Sequence, residues 1–387
     1  MQQAQPEPFA ARTTFGVGGA PLRWVTITDP ATAVETILDV WSEPEPWLIV
    51  GGGSNLLVAD DGFDGTAVLM ATQGIAVLPS TSIAPGDPDD EHAAAQEQVR
   101  LRVQAGHNWD DLVAYTVAEG LSGIEALSGI PGTVGAAPMQ NIGAYGQEVA
   151  SALESVTFLD FETGEVQTLG VGELGLGYRD SIFKRGRLGV ILDVTFVLQR
   201  SPQAQPIGYA QLAHSLGVHV GDRVPADEVR AAVLELRASK GMVFDPADPD
   251  SRSAGSFFVN PIVSEAFART LPADAPRWAT GPQPSERVIP LSPEGWPMAD
   301  PNQVPQRPQP RVKLSAAWLI EHAGIKRGYA LPGSKAAVSS KHTLALTNRG
   351  GATAAEIVQL ASLIQARVSS EFGVMLQPEP RFIGLEL

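Results

Sequence analysis

The chain of 387 residues contains no cysteine, which excludes disulfides, thiolate nucleophiles, thiolate metal sites and a cysteinyl link to a cofactor. Histidine is scarce, six in all, and no His-x-x-x-His pair occurs, so no metal site is expected. No apolar run approaches the roughly 20 residues of a membrane helix. Met1 to Ala20 has no apolar core after a basic start, so no signal peptide is expected and the expected address is the cytoplasm. Positive charge is also short: 27 Lys and Arg against 43 Asp and Glu, a formal charge of −16. That balance argues against a nucleic-acid or anionic-membrane partner. It also means that any phosphate ligand requires cations gathered locally.

What is present is glycine, 39 residues, in a chain long enough for two or three domains. Trp47 to Val50 reads as a strand that stops at Gly51-Gly52-Gly53-Ser54-Asn55, and a second strand follows at Thr66 to Met70. Residues 80–98 read as a solvated loop and Val99 to Val103 as a half-buried strand. Asn108 is the expected N-cap of a helix running to about Gly120. Val156 to Phe161 and Val166 to Leu169 form an expected hairpin, with a further strand at Val190 to Leu198. Later come helices at Asp227 to Lys240, Ser315 to His322 and Thr353 to Ser369. The last opens on the capping-box pattern Thr353-Ala354-Ala355-Glu356. Residues 265–310 are Pro-rich and aperiodic, an expected surface insertion, and Val374 to Leu376 reads as a terminal strand. The class is α+β.

The loop Gly51-Gly52-Gly53-Ser54-Asn55-Leu56 carries little side-chain bulk, which exposes backbone N–H groups to an anion, a diphosphate above all. It is neither a Walker A motif nor a G-x-G-x-x-G opening a helix. Taken alone, a plain tight turn explains it about equally well. A second segment, Ser128-Gly129-Ile130-Pro131-Gly132-Thr133-Val134-Gly135-Ala136-Ala137 continuing to Gly146, is as rich in small residues without a linker's polarity. Backbone packed against something large and flat explains that composition, as does a buried loop on a sheet. Together the two segments favour a large nucleotide cofactor.

Read in order, the motifs resemble the UDP-N-acetylenolpyruvoylglucosamine reductase (UDP-N-acetylmuramate dehydrogenase) family, flavoenzymes of peptidoglycan precursor synthesis. The matching pieces are Thr13 to Gly19, Val50 to Leu57, Gly123 to Gly146, Tyr178-Arg179-Asp180-Ser181-Ile182-Phe183-Lys184, Gly255-Ser256-Phe257-Phe258-Val259-Asn260-Pro261, and Pro378-Glu379-Pro380-Arg381-Phe382-Ile383-Gly384. They cover the chain from about residue 12 to its end. The resemblance implies a two-part FAD-binding region of the vanillyl-alcohol-oxidase (PCMH) type and a C-terminal α+β domain that binds the UDP-sugar. The expected limits are 1–75, joined by the final strand at 375–387, then 76–225, then 226–374 with the 265–310 insertion.

It further implies non-covalent FAD, NADPH as co-substrate, and a monomer that reduces UDP-N-acetylglucosamine enolpyruvate to UDP-N-acetylmuramate. Hydride passes from flavin N5 to substrate C3, and a proton is delivered to C2. Arg179 matches the family's catalytic arginine, offsetting charge that spreads into the substrate carboxylate. Outside the motif, a surface ion pair with Asp180 is the commoner fate of such an arginine. Ser256 matches the proton donor, where a cap or turn is the plain alternative. Glu379 matches the catalytic glutamate, expected to donate a hydrogen bond to the substrate carboxylate or its enol form; a solvated loop carboxylate is the alternative. The FAD contacts implied are Gly51, Gly52, Gly53, Ser54, Asn55, Leu56, Ser128, Gly129, Ile130, Pro131, Gly132, Thr133, Gly135, Ala136, Asn141, Gly143, Ala144, Tyr145 and Arg237. Those to the UDP-sugar are Tyr209, on a lid loop that marks one subtype, Lys240, Asn260 and His342.

The chain departs from the family pattern at Val259, where lysine is frequent, and at His342, where a polar amide is common. Two other readings stay open. One is an FAD-dependent alcohol or aldonolactone oxidase on the same cofactor fold; the other is a relative that binds UDP-sugar without turnover.

Overall fold

The computed structural model describes residues 6–79, 97–280 and 310–387. Three sheets organise it. In the first, Phe63–Met70 lies between Pro21–Ile27 and Trp47–Val50, all parallel. The second is antiparallel in the order Val166–Gly170, Leu153–Asp160, Gly189–Arg200, Gln98–Gln104, Ile75–Leu78. The third runs Ile262–Ser264, Arg311–Leu314, Arg277–Thr280, beside a short hairpin of Ala336–Val338 and Leu346–Asn348.

Alternation along Gln98–Gln104 explains its half-buried placement: Val99, Leu101 and Val103 enter the core with Trp109, Leu112 and Phe196. Apolar side chains two apart lie on one face of a strand. The helix Trp109–Ala118 starts where Asn108 Oδ1 accepts from the Asp111 amide at 3.1 Å, the expected cap. Helix Ala354–Phe372 buries Ile357, Leu360, Ile364 and Val368 in the third core. Thr353 and Glu356 close the expected capping box at its start.

Four expectations change. Val374 to Leu376 is not a strand; Arg381–Ile383 is, and it pairs in parallel with Leu56–Val58. Val374 and Leu376 are spent instead on the third core. Helix Ala226–Ser239 was expected to open the third domain, yet its Val229 and Val233 pack with Ala126, Ile207 and Leu212. Arg230 also pairs bidentately with Asp110, so a boundary at 225/226 falls inside a packed unit. Residues 265–280 are not aperiodic: they form helix Glu265–Ala268 and strand Arg277–Thr280. Residues 80–96 and 281–309 of the two expected loops lie outside the described residues, and Gln98 opens a strand.

Thr353→Ala removes the hydroxyl that accepts from the Glu356 amide at 3.1 Å. It is expected to lower unfolding free energy by about 1 kcal/mol in chemical denaturation; unchanged stability contradicts the cap. Hydrogen bonds from the Thr353 amide, then the Lys335 amide, hold the Glu356 carboxyl below its ordinary value. This contribution is present above the ordinary glutamate value and fades as pH falls through the lowered one.

Candidate active site

Beyond the end of the strand Trp47–Val50 lies a cavity of ≈ 760 Å³, within the range of about 300–1,000 Å³ usual for cofactor sites. Both glycine-rich segments wall it. Gly51 to Leu56 leave the strand Trp47–Val50 and line one side; Ile130, Pro131, Thr133, Ala136, Gly143, Ala144 and Tyr145 line another. The loops meet backbone to backbone. A Cβ on Gly52 would lie 2.7 Å from Gly132 Cα, and one on Gly51 would lie 2.5 Å from Thr133 Oγ1. Gly53 sits at φ 65 against the Arg12 carbonyl, so it needs both the left-handed conformation and the missing side chain.

Three distant parts of the chain then converge. Arg179, at φ 53, donates from Nη2 to Gly143 O at 2.7 Å and from Nη1 to Asn141 O at 3.3 Å. Its Nε stands 3.1 Å from Glu379 Oε1, an ion pair whose angle falls short of a hydrogen bond. Asp180 instead pairs with Arg185, so the adjacent aspartate does not claim Arg179. Glu379 is placed by the chain carrying Ser256: its amide donates to Phe257 O at 2.8 Å, and the Val259 amide donates to Gln377 O at 3.0 Å. No helix begins at Ser256; it follows Gly255 at φ 72 and lines the cavity.

Cations are gathered here despite the chain's net charge. Arg179, Lys184, Arg237, Lys240 and Arg381 line the cavity against one acidic side chain, Glu379. Lys240 Nζ donates to Gln211 Oε1 at 2.8 Å and lies 5.4 Å from the Tyr145 ring centroid. Burial, then the neighbouring Arg237, pushes the Lys240 ammonium below its ordinary value. Tyr145 and Tyr209 meet edge to face at 5.8 Å. Burial, followed by Lys240 and Arg327 and opposed by Glu321, takes His342 down to about 4, so its imidazole is neutral near pH 7.

Several expected contacts face elsewhere. Ser128 is fully buried and donates to Glu125 O at 2.7 Å. The Gly129 amide goes to Asp110 Oδ1, and Gly129 O accepts from Arg237 Nε. Gly132 O takes the Trp109 amide, and the Gly135 amide goes to Ala105 O. Asn141, 1% exposed, donates to Glu148 Oε2 and Gly177 O and accepts from the Ala150 amide. Asn260 Oδ1 accepts from the Ala316 amide at 2.9 Å. Ser128, Gly129, Gly132, Gly135, Asn141 and Asn260 bond to protein groups and do not line the cavity. Sequence reasoning in turn missed Gln140, whose carboxamide bridges Asn55 and Glu379; position beside the singled-out Asn141 was the sole hint.

Comparison with known proteins assigns this geometry. A model of the UDP-N-acetylenolpyruvoylglucosamine reductase C-terminal domain matches residues 246–383, and one of an FAD binding domain matches residues 21–170. The chain is 55% identical over 390 residues to the UDP-N-acetylenolpyruvoylglucosamine reductase of Leifsonia xyli, covering 99% of both. The chain belongs to the UDP-N-acetylenolpyruvoylglucosamine reductase family. The reductase of Thermobifida fusca is 46% identical over 386 residues, again with 99% of both covered. The crystal structure of the Thermus caldophilus reductase, 23% identical with 97% of each chain covered, superposes with a TM-score of 0.56 and so shares the fold.

Family membership makes the chain an FAD-dependent oxidoreductase, and its residues fit that cofactor. Among the described residues, the amides of Gly52, Gly53, Ser54 and Asn55 donate to no protein acceptor. They form a rim of unspent donors beside backbone that leaves no room for a Cβ, as a diphosphate requires.

Labelled His342 should titrate in NMR with a midpoint near 4, against roughly 6.5 for free imidazole. With the folded value depressed, the unfolded chain binds the extra proton, so this residue's contribution to stability falls as pH drops from about 6.5 towards 4. A midpoint near 6.5 contradicts the burial.

Proposed function

We propose that the chain reduces UDP-N-acetylglucosamine enolpyruvate to UDP-N-acetylmuramate at the expense of NADPH, with residues 179, 256 and 379 as the reacting side chains. The convergence of Arg179, Ser256 and Glu379 on a cavity walled by both glycine-rich loops carries the reading. Bound FAD supplies the two-electron relay between NADPH and substrate carbon. The free amides at 52–55 receive its diphosphate. Lys240 offers positive charge to the diphosphate of the UDP-sugar and Arg237 offers it to the cofactor; Tyr209 covers the UDP-sugar diphosphate, and neutral His342 offers a hydrogen bond without charge.

Arg179 offsets the negative charge that grows at the substrate carboxylate, in a site where water is scarce. Two of its nitrogens are held by backbone carbonyls, so the fork is oriented before the substrate arrives. Ser256 gives its proton to C2; a hydroxyl is a weak acid, but an enolate-like carbon is a strong base. Glu379 lies beside the substrate carboxylate. Its Oε1 accepts from Gln140 and faces Arg179, and its Oε2 is the atom proposed to share a hydrogen with that carboxylate. An alcohol or aldonolactone oxidase gives no employment to Ser256 and Glu379, and a non-catalytic relative gives none to the oriented Arg179.

The cavity collects Arg179, Ser256 and Glu379 within one chain, so the reading needs no second copy and takes the enzyme as a monomer. Among the described residues no helix is long and apolar enough to cross a membrane. The net charge of −16 supports a reading without nucleic-acid or anionic-membrane partners, and we take the enzyme to act in the cytoplasm.

Ser256→Ala is expected to leave anaerobic flavin reduction by NADPH nearly unchanged while slowing reoxidation by the enolpyruvyl substrate at least roughly a hundredfold, the lower range for a positioned proton donor. Stopped-flow absorbance separates the two halves. Equal slowing of both rules out the proton-donor role.

A further inference from the structure

Gln140, in the second glycine-rich segment, is half-buried between Asn55 of the first loop and Glu379 of the segment Pro378-Glu379-Pro380-Arg381, and it lines the cavity. Its Nε2 donates to Glu379 Oε1 at 3.1 Å, and its Oε1 accepts from Asn55 Nδ2 at 3.3 Å. The carboxamide cannot be turned over. Asn55 Nδ2 offers only hydrogens, and Glu379 Oε1, which faces the Arg179 guanidinium, is an acceptor, so the nitrogen of Gln140 faces Glu379. Asn55 also grips the neighbouring backbone: its Nδ2 donates to Glu379 O at 3.2 Å, and its carbonyl accepts from the Arg381 amide at 2.9 Å.

We propose that Gln140 is a positioning residue for the reaction, which ties the first glycine loop to the Glu379 carboxylate and holds that carboxylate against Arg179. The inference rests on the reading of Glu379 above and deepens it. Two amide groups in series, Asn55 then Gln140, connect the wall that receives the cofactor diphosphate to the group that meets the substrate carboxylate. Among the described residues, removal of the Gln140 donor leaves the Glu379 side chain one partner, the off-angle Arg179 Nε, and so holds it less firmly. The other charged or titratable groups facing this cluster are Tyr178 and Arg381, with Lys313 Nζ 4.7 Å from the Tyr178 ring centroid. None of them replaces an amide donor at Oε1.

The test uses flavin-loaded enzyme with Gln140→Leu, Gln140→Glu and Glu379→Gln measured side by side. Gln140→Leu should slow reoxidation by the enolpyruvyl substrate roughly tenfold to a hundredfold, the span for a lost hydrogen bond to a charged group. Flavin reduction by NADPH should stay within about twofold, because that half brings no carboxylate to Glu379. Calorimetry on the oxidised enzyme should show substrate binding weakened roughly tenfold. Gln140→Glu keeps the acceptor for Asn55 but sets a second carboxylate against Glu379. Two such groups share one proton as pH falls, which restores a donor, so its reoxidation rate should recover towards low pH while that of Gln140→Leu does not. Adding Gln140→Leu to Glu379→Gln should cost little more than Glu379→Gln alone.

Equal slowing of both half-reactions, a Gln140→Glu profile without recovery at low pH, or full additivity of the double variant each overturns the proposal. Normal reoxidation in Glu379→Gln overturns the parent reading instead. If Gln140→Leu fails to fold or to hold flavin, the pH profile of Gln140→Glu decides.

Discussion

One guanidinium carries the architecture of the site. Arg179 sits in a left-handed backbone conformation, which a non-glycine residue adopts at a cost of order 1–3 kcal/mol. The cost is met by two backbone carbonyls and one carboxylate that close around its side chain. The partners come from two distant parts of the chain: Asn141 and Gly143 lie in the second glycine-rich segment, whereas Glu379 lies more than 230 positions later, in the segment Pro378-Glu379-Pro380-Arg381. The same arginine therefore ties the cavity wall to that late segment.

Everything else converges on that point through backbone pairing. Arg381–Ile383 adds to Leu56–Val58, just beyond the first glycine loop, while the Glu379 amide is held by Phe257 O, one residue past Ser256. The final segment thus bridges the cofactor wall and the third core. Third-core packing places the serine; sheet pairing places the glutamate. The chemistry needs both on one side of one cavity, and such bridging supplies that without a flexible joint.

Local chemistry was legible in the sequence where one residue type answers one need. Asn108 and Thr353 cap the helices expected of them, and alternation at Val99, Leu101 and Val103 reads directly as a half-buried strand. The glycine loops and the convergence of residues 179, 256 and 379 on one cavity were legible through an ordered motif set. Composition alone left a plain turn as open as a ligand loop and favoured an ordinary surface ion pair for Arg179. The hydrogen bonds of Asn141, Asn260 and Ser128 were not legible, because a polar side chain has several possible partners and sequence does not reveal which carboxylate, helix amide or buried carbonyl it meets. Val374 to Leu376 misled for a related reason: apolar residues in an extended segment satisfy a helical core as well as a sheet. Gln140 had no pattern at all, since its meaning depends on Glu379, 239 positions away.

The most direct test is anaerobic. The yellow enzyme is bleached with one equivalent of NADPH and then mixed with UDP-N-acetylglucosamine enolpyruvate. The account predicts that oxidised flavin absorbance returns as UDP-N-acetylmuramate appears in equal amount, and that a simple alcohol leaves the fully oxidised enzyme unbleached. Flavin that stays reduced in the presence of the enolpyruvyl ether, or oxidised enzyme that an alcohol bleaches, contradicts it.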